Sequence, residues 1–110
     1  MKTPRSYTRL TEEALVLLGA QIKLGRKSRS MAETELAERA GIARSTVQKI
    51  EKGDPHVAIG LVFEAAVIAG VPLFVPEASS LAPQIDRMGD KIALLPRSIR
   101  KSRIKVDDDF

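Results

Sequence analysis

The chain contains no cysteine and only one histidine, His56, among its 110 residues. Disulfide bonds and cysteine-ligated metal sites are therefore excluded, and a single histidine leaves no plausible zinc site. Aromatic residues make up only 4% of the sequence, so the core must be built from Leu, Ile, Val and Ala. The same scarcity disfavours RNA binding, which commonly uses aromatic side chains to stack on unpaired bases. We expect no cofactor and no bound metal.

Long apolar runs are missing as well. The most apolar stretch, residues 57–75, is interrupted by Gly60, Glu64, Gly70 and Pro72, which is typical of a core helix rather than a membrane span. The polar N-terminus lacks the apolar segment of a signal peptide, so we expect a cytoplasmic protein. We also find no nucleophile triad, no paired-carboxylate site and no Gly-rich phosphate loop, and we therefore expect no enzyme.

The charges are unevenly distributed along the chain. The formal net charge is +4; residues 1–29 carry seven Lys or Arg and two Glu, whereas residues 54–95 carry five acidic and two basic residues. This excess suits a polyanionic partner but does not prove one. A basic cluster within residues 97–105 precedes Asp107, Asp108 and Asp109. The cluster could bind phosphates, bind a protein partner or remain solvated, and the sequence leaves these alternatives open.

Apolar periodicity predicts an all-α fold. Thr11 is the expected N-cap of a first helix over about 11–27, and Ser30 with Glu33 is the expected capping box of a second helix. The predicted second to fifth helices span about 32–40, Ala43 or Arg44 to Gly53, about 57–69 and about 79–95. We expect a flexible arm over 1–10, one domain over 11–95 and a basic-then-acidic tail over 96–110.

The fourth and fifth predicted helices indicate self-association. The fourth is apolar almost all round, and the fifth is amphipathic. Its apolar stripe consists of Leu81, Ile85, Met88, Ile92 and Leu95. One chain of this length has limited surface against which to bury both, so we predict a homodimer.

The stretch from Ala32 to Gly53 has the pattern of a helix-turn-helix. Two short helices, each with an inward apolar set, are joined by a tight turn that contains Gly41. Ala37 is small where the two helices must approach each other, and Val47 anchors the third helix together with Ile50.

The outward face of the third helix carries residue types that read bases. Its members are Arg44, Ser45, Thr46, Gln48 and Lys49. Arg and Lys pair with guanine, Gln pairs with adenine, and Ser or Thr contacts bases or phosphates. A helix N-terminus laid in the major groove brings such side chains within reach of base edges. The alternative is a small helical bundle with a solvated face, but this face lacks the Glu–Lys pairs usual on idle helix surfaces.

Residues 19–74, approximately, resemble the Xre/Cro/C1-type helix-turn-helix family of bacterial and phage repressors. The matching residues are Arg26, Leu36, Ala37, Ala40, Gly41, Val47, Ile50, Glu51 and Gly53. The resemblance implies a lambda-repressor-like domain of five packed helices and a homodimer on a palindromic operator. It also implies an ion pair between Arg26 and Glu51, which would be worth less than ~1 kcal/mol if it were exposed.

The resemblance also draws attention to positions outside the reading face. The family often has a Gln where Glu33 stands, and that Gln often contacts a phosphate, which a carboxylate cannot do favourably. It often has Ser or Thr where Ala43 stands, so the third helix here lacks that cap. With Arg29 and Lys52, Glu33 completes our set of candidate DNA-binding residues.

Over its whole length the sequence is similar to HipB-like antitoxins, which are paired with HipA-type kinase toxins. The similarity is carried by residues 29–55, by the segment Val71-Pro72-Leu73-Phe74 and by residues 89–101. It implies a repressor that autoregulates its operon and binds a serine/threonine kinase toxin. The alternatives are a stand-alone Xre-type or phage-like repressor without a toxin, and a protein-interaction module with little DNA binding.

Overall fold

A computed structural model describes residues 5–99 of the chain, which form five α-helices. The helices are α1 (Arg9–Ser28), α2 (Glu33–Ala40), α3 (Arg44–Lys52), α4 (Ile59–Ala69) and α5 (Ala82–Ala93). Within residues 5–99 there is no β-strand, and the predicted all-α fold is confirmed. The first four residues of the predicted arm and most of the predicted tail, from Arg100 to Phe110, lie outside the described residues.

The chain divides into two compact units, Met1–Ala78 and Ser79–Phe110. In the first unit, α1 packs on α3 and α4, and α2 packs on the same two helices. The core is aliphatic, as the shortage of aromatic residues requires. It consists of Ile22, Met31, Leu36, Ala37, Val47, Ile50, Val62, Ala65, Ala66 and Ala69.

The beginnings of the first two helices differ from the prediction. Thr8, not Thr11, is the N-cap of α1, and its hydroxyl donates to that of Thr11 rather than to a backbone amide. The predicted capping box of α2 is wrong, because Ser30 has a left-handed φ of 54° and the N-cap is Ala32. Glu33 is thereby the first residue of α2 instead of the third, and its carboxylate is directed to other partners.

The ends of α2 and α3 follow the sequence closely. Gly41 has a φ of 70° and Gly53 a φ of 82°, the left-handed conformation in which Gly is favoured after a helix. After Gly41, the amide of Ile42 donates to the carbonyl of Ala37, which closes a Schellman motif. Gly53 also has a packing role, because a Cβ there would come within 2.7 Å of the Cα of Val16. The turn that separates α2 from α3 is therefore short and fixed.

The second unit contains α5, which begins with Pro83 in its first turn as predicted. None of its residues is buried, and Ile85, Met88 and Ile92 are exposed. Every helix among residues 5–99 is too short or too polar to cross a lipid bilayer. The predicted single domain over 11–95 stays a prediction.

Candidate nucleic-acid interface

The position of α3 is set by its apolar side chains. Val47 is fully buried and Ile50 is 3% exposed, and both belong to the core that includes Leu36 and Ala37 of α2. Because these inward side chains recur at three-residue spacing, Arg44, Ser45 and Lys49 are turned away from the core. The helix-turn-helix pair is thus a rigid support for one outward face.

That outward face carries the residues predicted to read bases. Arg44, Ser45 and Lys49 are exposed, as is Lys52, whereas Thr46 and Gln48 are partly buried. The N-cap of α3 is Ala43, which makes no side-chain capping bond. The structure therefore places the five predicted reading residues on the first turn and a half of one helix, with Lys52 at its end.

Glu33 connects α2 to this face. Its Oε1 accepts a hydrogen bond from Nε of Arg44 at 3.0 Å and another from Nε2 of Gln48 at 3.2 Å. These two bonds, that of Gln48 foremost, hold the pKa of the Glu33 carboxyl below its usual range. A carboxylate only accepts hydrogen bonds, so the amide of Gln48 must turn its nitrogen toward Glu33. Glu33 thus orients two of the predicted reading side chains.

Sequence reasoning missed this cluster. The sequence draws attention to Glu33 only through the phosphate contact that the family makes at its position. The pairs are separated by 11 and 15 residues along the chain. No helical periodicity connects them, because the turn at Gly41 lies between. The sequence does contain a signal for this contact, because Glu33 begins α2 and Arg44 begins α3. Opposite charges at these two positions can form an ion pair once the two helices pack against each other.

Arg26 and Glu51 form the ion pair that the family resemblance implied. Nε of Arg26 lies 2.7 Å from Oε2 of Glu51, and Nη2 lies 3.0 Å from Oε1, so the pair is bidentate. Nη1 of Arg26 donates to the carbonyl of Met31 at 2.9 Å. The two side chains are only 7% and 5% exposed. The hydrogen bonds to Glu51 raise the pKa of Arg26, against the lowering effect of burial.

Arg29, another predicted DNA contact, lies against the end of α4. Its Nη1 donates to the carbonyl of Ile68 at 3.0 Å. A Cβ on Gly70 would overlap the guanidinium group, so the two residues are in close contact. A cation at a helix C-terminus is favourably placed against the helix dipole. Within the described residues, Arg29 thus has a structural contact besides any contact with DNA.

The turn after α3 is held by Asp54. Its Oδ1 accepts from the backbone amide of His56 at 2.8 Å and lies 3.0 Å from His56 Nδ1. These contacts, chiefly the bond from the amide, lower the pKa of Asp54. The segment after α3 is therefore an Asx-type turn, closed by the bond from the His56 amide to Asp54.

One comparison with known proteins finds a match. A family model described as helix-turn-helix matches residues 22–75, from the second half of α1 to the segment after α4. No curated protein matches the chain. The matched segment contains the core of the first unit, the Arg26–Glu51 pair and the whole outward face of α3.

Proposed function

We propose that this chain, whose residues 22–75 match a helix-turn-helix family model, is a sequence-specific repressor of double-stranded operator DNA. In this proposal it binds a palindromic operator as a homodimer and autoregulates its operon. It also serves as the antitoxin of a HipBA-like module, in which it restrains a serine/threonine kinase.

The observation that carries DNA reading is the polar face of α3 on its buried support. Val47 and Ile50 fix the helix from behind, and Arg44, Ser45 and Lys49 are exposed in front. A helix held in this way can enter the major groove as a rigid body, so little backbone rearrangement is needed on binding.

The Glu33 contacts favour particular bases. Arg44 uses Nε for Glu33, and within residues 5–99 its two terminal nitrogens have no other hydrogen-bond partner. They remain available for the O6 and N7 acceptors of guanine. Gln48 gives one N–H to Glu33 and keeps its carbonyl oxygen and second N–H, which is the pair that adenine requires. We therefore expect guanine and adenine at neighbouring operator positions.

A titration of labelled duplex DNA tests this function. Replacement of Gln48 or Lys49 by Ala should weaken binding to the best site by about 1–3 kcal/mol and relax preference at one position. Lys23→Ala, which removes an exposed lysine of α1, is the matched control and should change site preference little. The affinity of the native protein for duplex DNA should fall steeply as the salt concentration is raised from about 50 to 200 mM. Full operator selectivity in the Gln48 and Lys49 variants would show that α3 does not read the site.

The homodimer is supported by apolar surface in each unit. In α4, Val62 and three alanines are buried, but Ile59 and Val67 on the other side are 68% and 57% exposed. In α5 the stripe is exposed as well. A two-fold dimer would also present two reading helices about 34 Å apart, one turn of DNA. Sedimentation should show a dimer or a larger assembly at micromolar concentration, and a monomer both with and without DNA would contradict the homodimer.

The antitoxin role is supported by the similarity to HipB-like proteins and by the residues beyond the matched segment. Residues 76–99 include α5, and the basic cluster follows. Deletion of residues 97–110 should reduce binding to a HipA-type kinase and leave DNA affinity intact. Loss of DNA affinity with unchanged kinase binding would instead assign the tail to the operator. A stand-alone repressor would bind DNA without any kinase partner, and an interaction module would bind duplex DNA weakly at every sequence.

A further inference from the structure

The outer face of α1 carries an apolar stripe, which is used neither by the core nor by the proposed reading face. Leu10, Leu17 and Leu24 lie on it at intervals of seven residues and are 75%, 61% and 70% exposed. Ala20 is exposed between them, and Val16, on the flank, is 54% exposed. Seven-residue spacing keeps the three leucines on one stripe, as in a helix that packs along a second helix.

The opposite face of α1 is fully used by the fold. Ile22 is completely buried, and Gly19 lies so close to α3 that a Cβ would overlap the carbonyl oxygens of Ile50 and Glu51. These α3 residues are at its C-terminal end, whereas Arg44 begins the helix. The leucine stripe is therefore directed away from α3 and can be covered without obstruction of the reading residues.

The charges beside the stripe are unevenly distributed along the helix. In the N-terminal half of α1, Arg9 pairs with Glu13 at 3.6 Å, and Glu12 leaves this half net acidic. The C-terminal half carries the exposed Lys23 and Lys27 and is net basic. Two such helices side by side in parallel would bring acid against acid and base against base. In an antiparallel arrangement each acidic half meets the basic half of the other helix, which favours that orientation.

The leucines have the same symmetry. Leu10 and Leu24 are each seven residues from Leu17, so a two-fold axis at Leu17 places Leu10 of one helix opposite Leu24 of the other. Ala14 and Ala20 are exchanged by the same axis, and small residues allow close approach at its centre. A second copy of this chain therefore matches the surface in the spacing of its leucines and in net charge.

We infer that the outer face of α1 is a self-association surface, on which two copies pack antiparallel with their Leu17 side chains in contact. This surface is distinct from the apolar faces of α4 and α5 and does not depend on DNA binding. Where the homodimer also forms through those faces, the α1 contact joins two dimers. It thereby provides a means of linking protein molecules on adjacent operators.

The absence of cysteine from the native chain allows a direct test. A disulfide requires Cα atoms about 4.4–6.8 Å apart, so covalent dimers report contact at the introduced position. Under mild oxidation, L17C should form a disulfide dimer. Q21C should not, because residue 21 of each copy would be displaced by eight residues, about 12 Å, along the axis.

The orientation is tested by mixing variants. L10C alone and L24C alone should remain uncross-linked, since the two copies of each position would be about 21 Å apart, whereas their mixture should form a mixed disulfide. Dimers of L10C alone and of L24C alone would indicate a parallel pair and overturn the inference. Absence of a disulfide in both L17C and the mixture would overturn it as well.

Solution mass provides a second measurement. L17E should sediment with about half the mass of the native protein at the same concentration, because two buried carboxylates would meet at the axis. Q21E adds the same charge to the same helix at the edge of the stripe and should leave the mass less affected. Helical circular dichroism verifies that L17E is folded, and the cross-links decide the matter if it is not. An unchanged mass for folded L17E would refute the α1 contact.

Discussion

Replacement of Glu51 by Gln tests whether the first unit depends on a single buried ion pair. The substitution is nearly isosteric, but it removes the charge that neutralises Arg26 and replaces a carboxylate acceptor by an amide group. The guanidinium group keeps its bond to the carbonyl of Met31, but its Nε and Nη2 no longer face two carboxylate oxygens. A buried cation is thus left without its counter-ion.

The exposure of the pair determines the expected magnitude. An exposed ion pair contributes about 0–1 kcal/mol, and we would expect that value from the sequence alone. The side chains of Arg26 and Glu51 are 7% and 5% exposed, however, so the relevant case is a buried pair that loses one partner. That loss costs about 3–5 kcal/mol. The ratio of folded to unfolded protein should fall by more than about a hundredfold, which is a large part of the stability of a small domain.

Urea unfolding followed by circular dichroism measures the loss. With a slope of about 1–3 kcal/mol/M, the unfolding midpoint of E51Q should fall by at least about 1 M while the slope is unchanged. The control is E35Q, since Glu35 pairs with Arg39 at the surface with 43% and 57% of the two side chains exposed. It should cost less than about 1 kcal/mol.

A double substitution separates the charge from the packing. R26M/E51M replaces both ionised groups by apolar chains and should be more stable than E51Q, because no charge remains buried and unpaired. The reasoning is refuted if E51Q stays within about 1 kcal/mol of the native protein, or if the double variant is the less stable of the two. The first result would mean that water reaches the guanidinium group, and the second would mean that the lost hydrogen bonds and packing outweigh the unpaired charge.

Three further predictions concern the same unit. E33Q should bind non-specific duplex DNA more tightly and discriminate less between sites in fluorescence anisotropy titrations, because it removes a negative charge and allows either amide orientation at Gln48, whereas E35Q should retain site preference. The pKa values of Glu33 and Asp54 are lowered in the folded protein, so each carboxylate stabilises the fold only while it is ionised. Stability should therefore fall as the pH drops below the ordinary pKa values of these groups, and D54N should weaken this acid dependence in thermal melts. Gly53→Ala should destabilise the protein more than Gly41→Ala in urea titrations, because both have a left-handed φ but only the former would overlap the backbone of Val16.

The sequence predicts most of the fold because the helix-turn-helix is encoded by local signals. Gly41 and Gly53 end their helices where the apolar periodicity stops, and the buried side chains of α3 are the two expected. The order and number of helices follow from the same periodicity. These features require no knowledge of distant contacts, since backbone conformation and amphipathicity act within a few residues.

The error at the start of α2 occurs where the burial of a loop residue overrides a local preference. Ser30 and Glu33 have the spacing of a capping box, yet Met31 is buried and its carbonyl accepts from Arg26. That contact shapes the loop and leaves Ser30 in a left-handed conformation. Glu33 is then free to meet Arg44 across the turn. Neither contact can be read from spacing along one helix, and the burial of Arg26 is invisible until α1 and α3 are packed.

α3 is therefore held by a carboxylate near each end, with different consequences. Glu51, near the C-terminus of α3, ties the helix to Arg26 of α1 in the interior. Glu33, on α2, contacts the exposed Arg44 at the N-terminus. Loss of the buried contact should reduce DNA binding only in proportion to the unfolded fraction, so added stabilising osmolyte should restore it. Loss of the surface contact should change site preference in a fully folded protein, and osmolyte should not restore it. The comparison of E51Q with E33Q thus separates the stability of the fold around α3 from the base preference of its outward side chains.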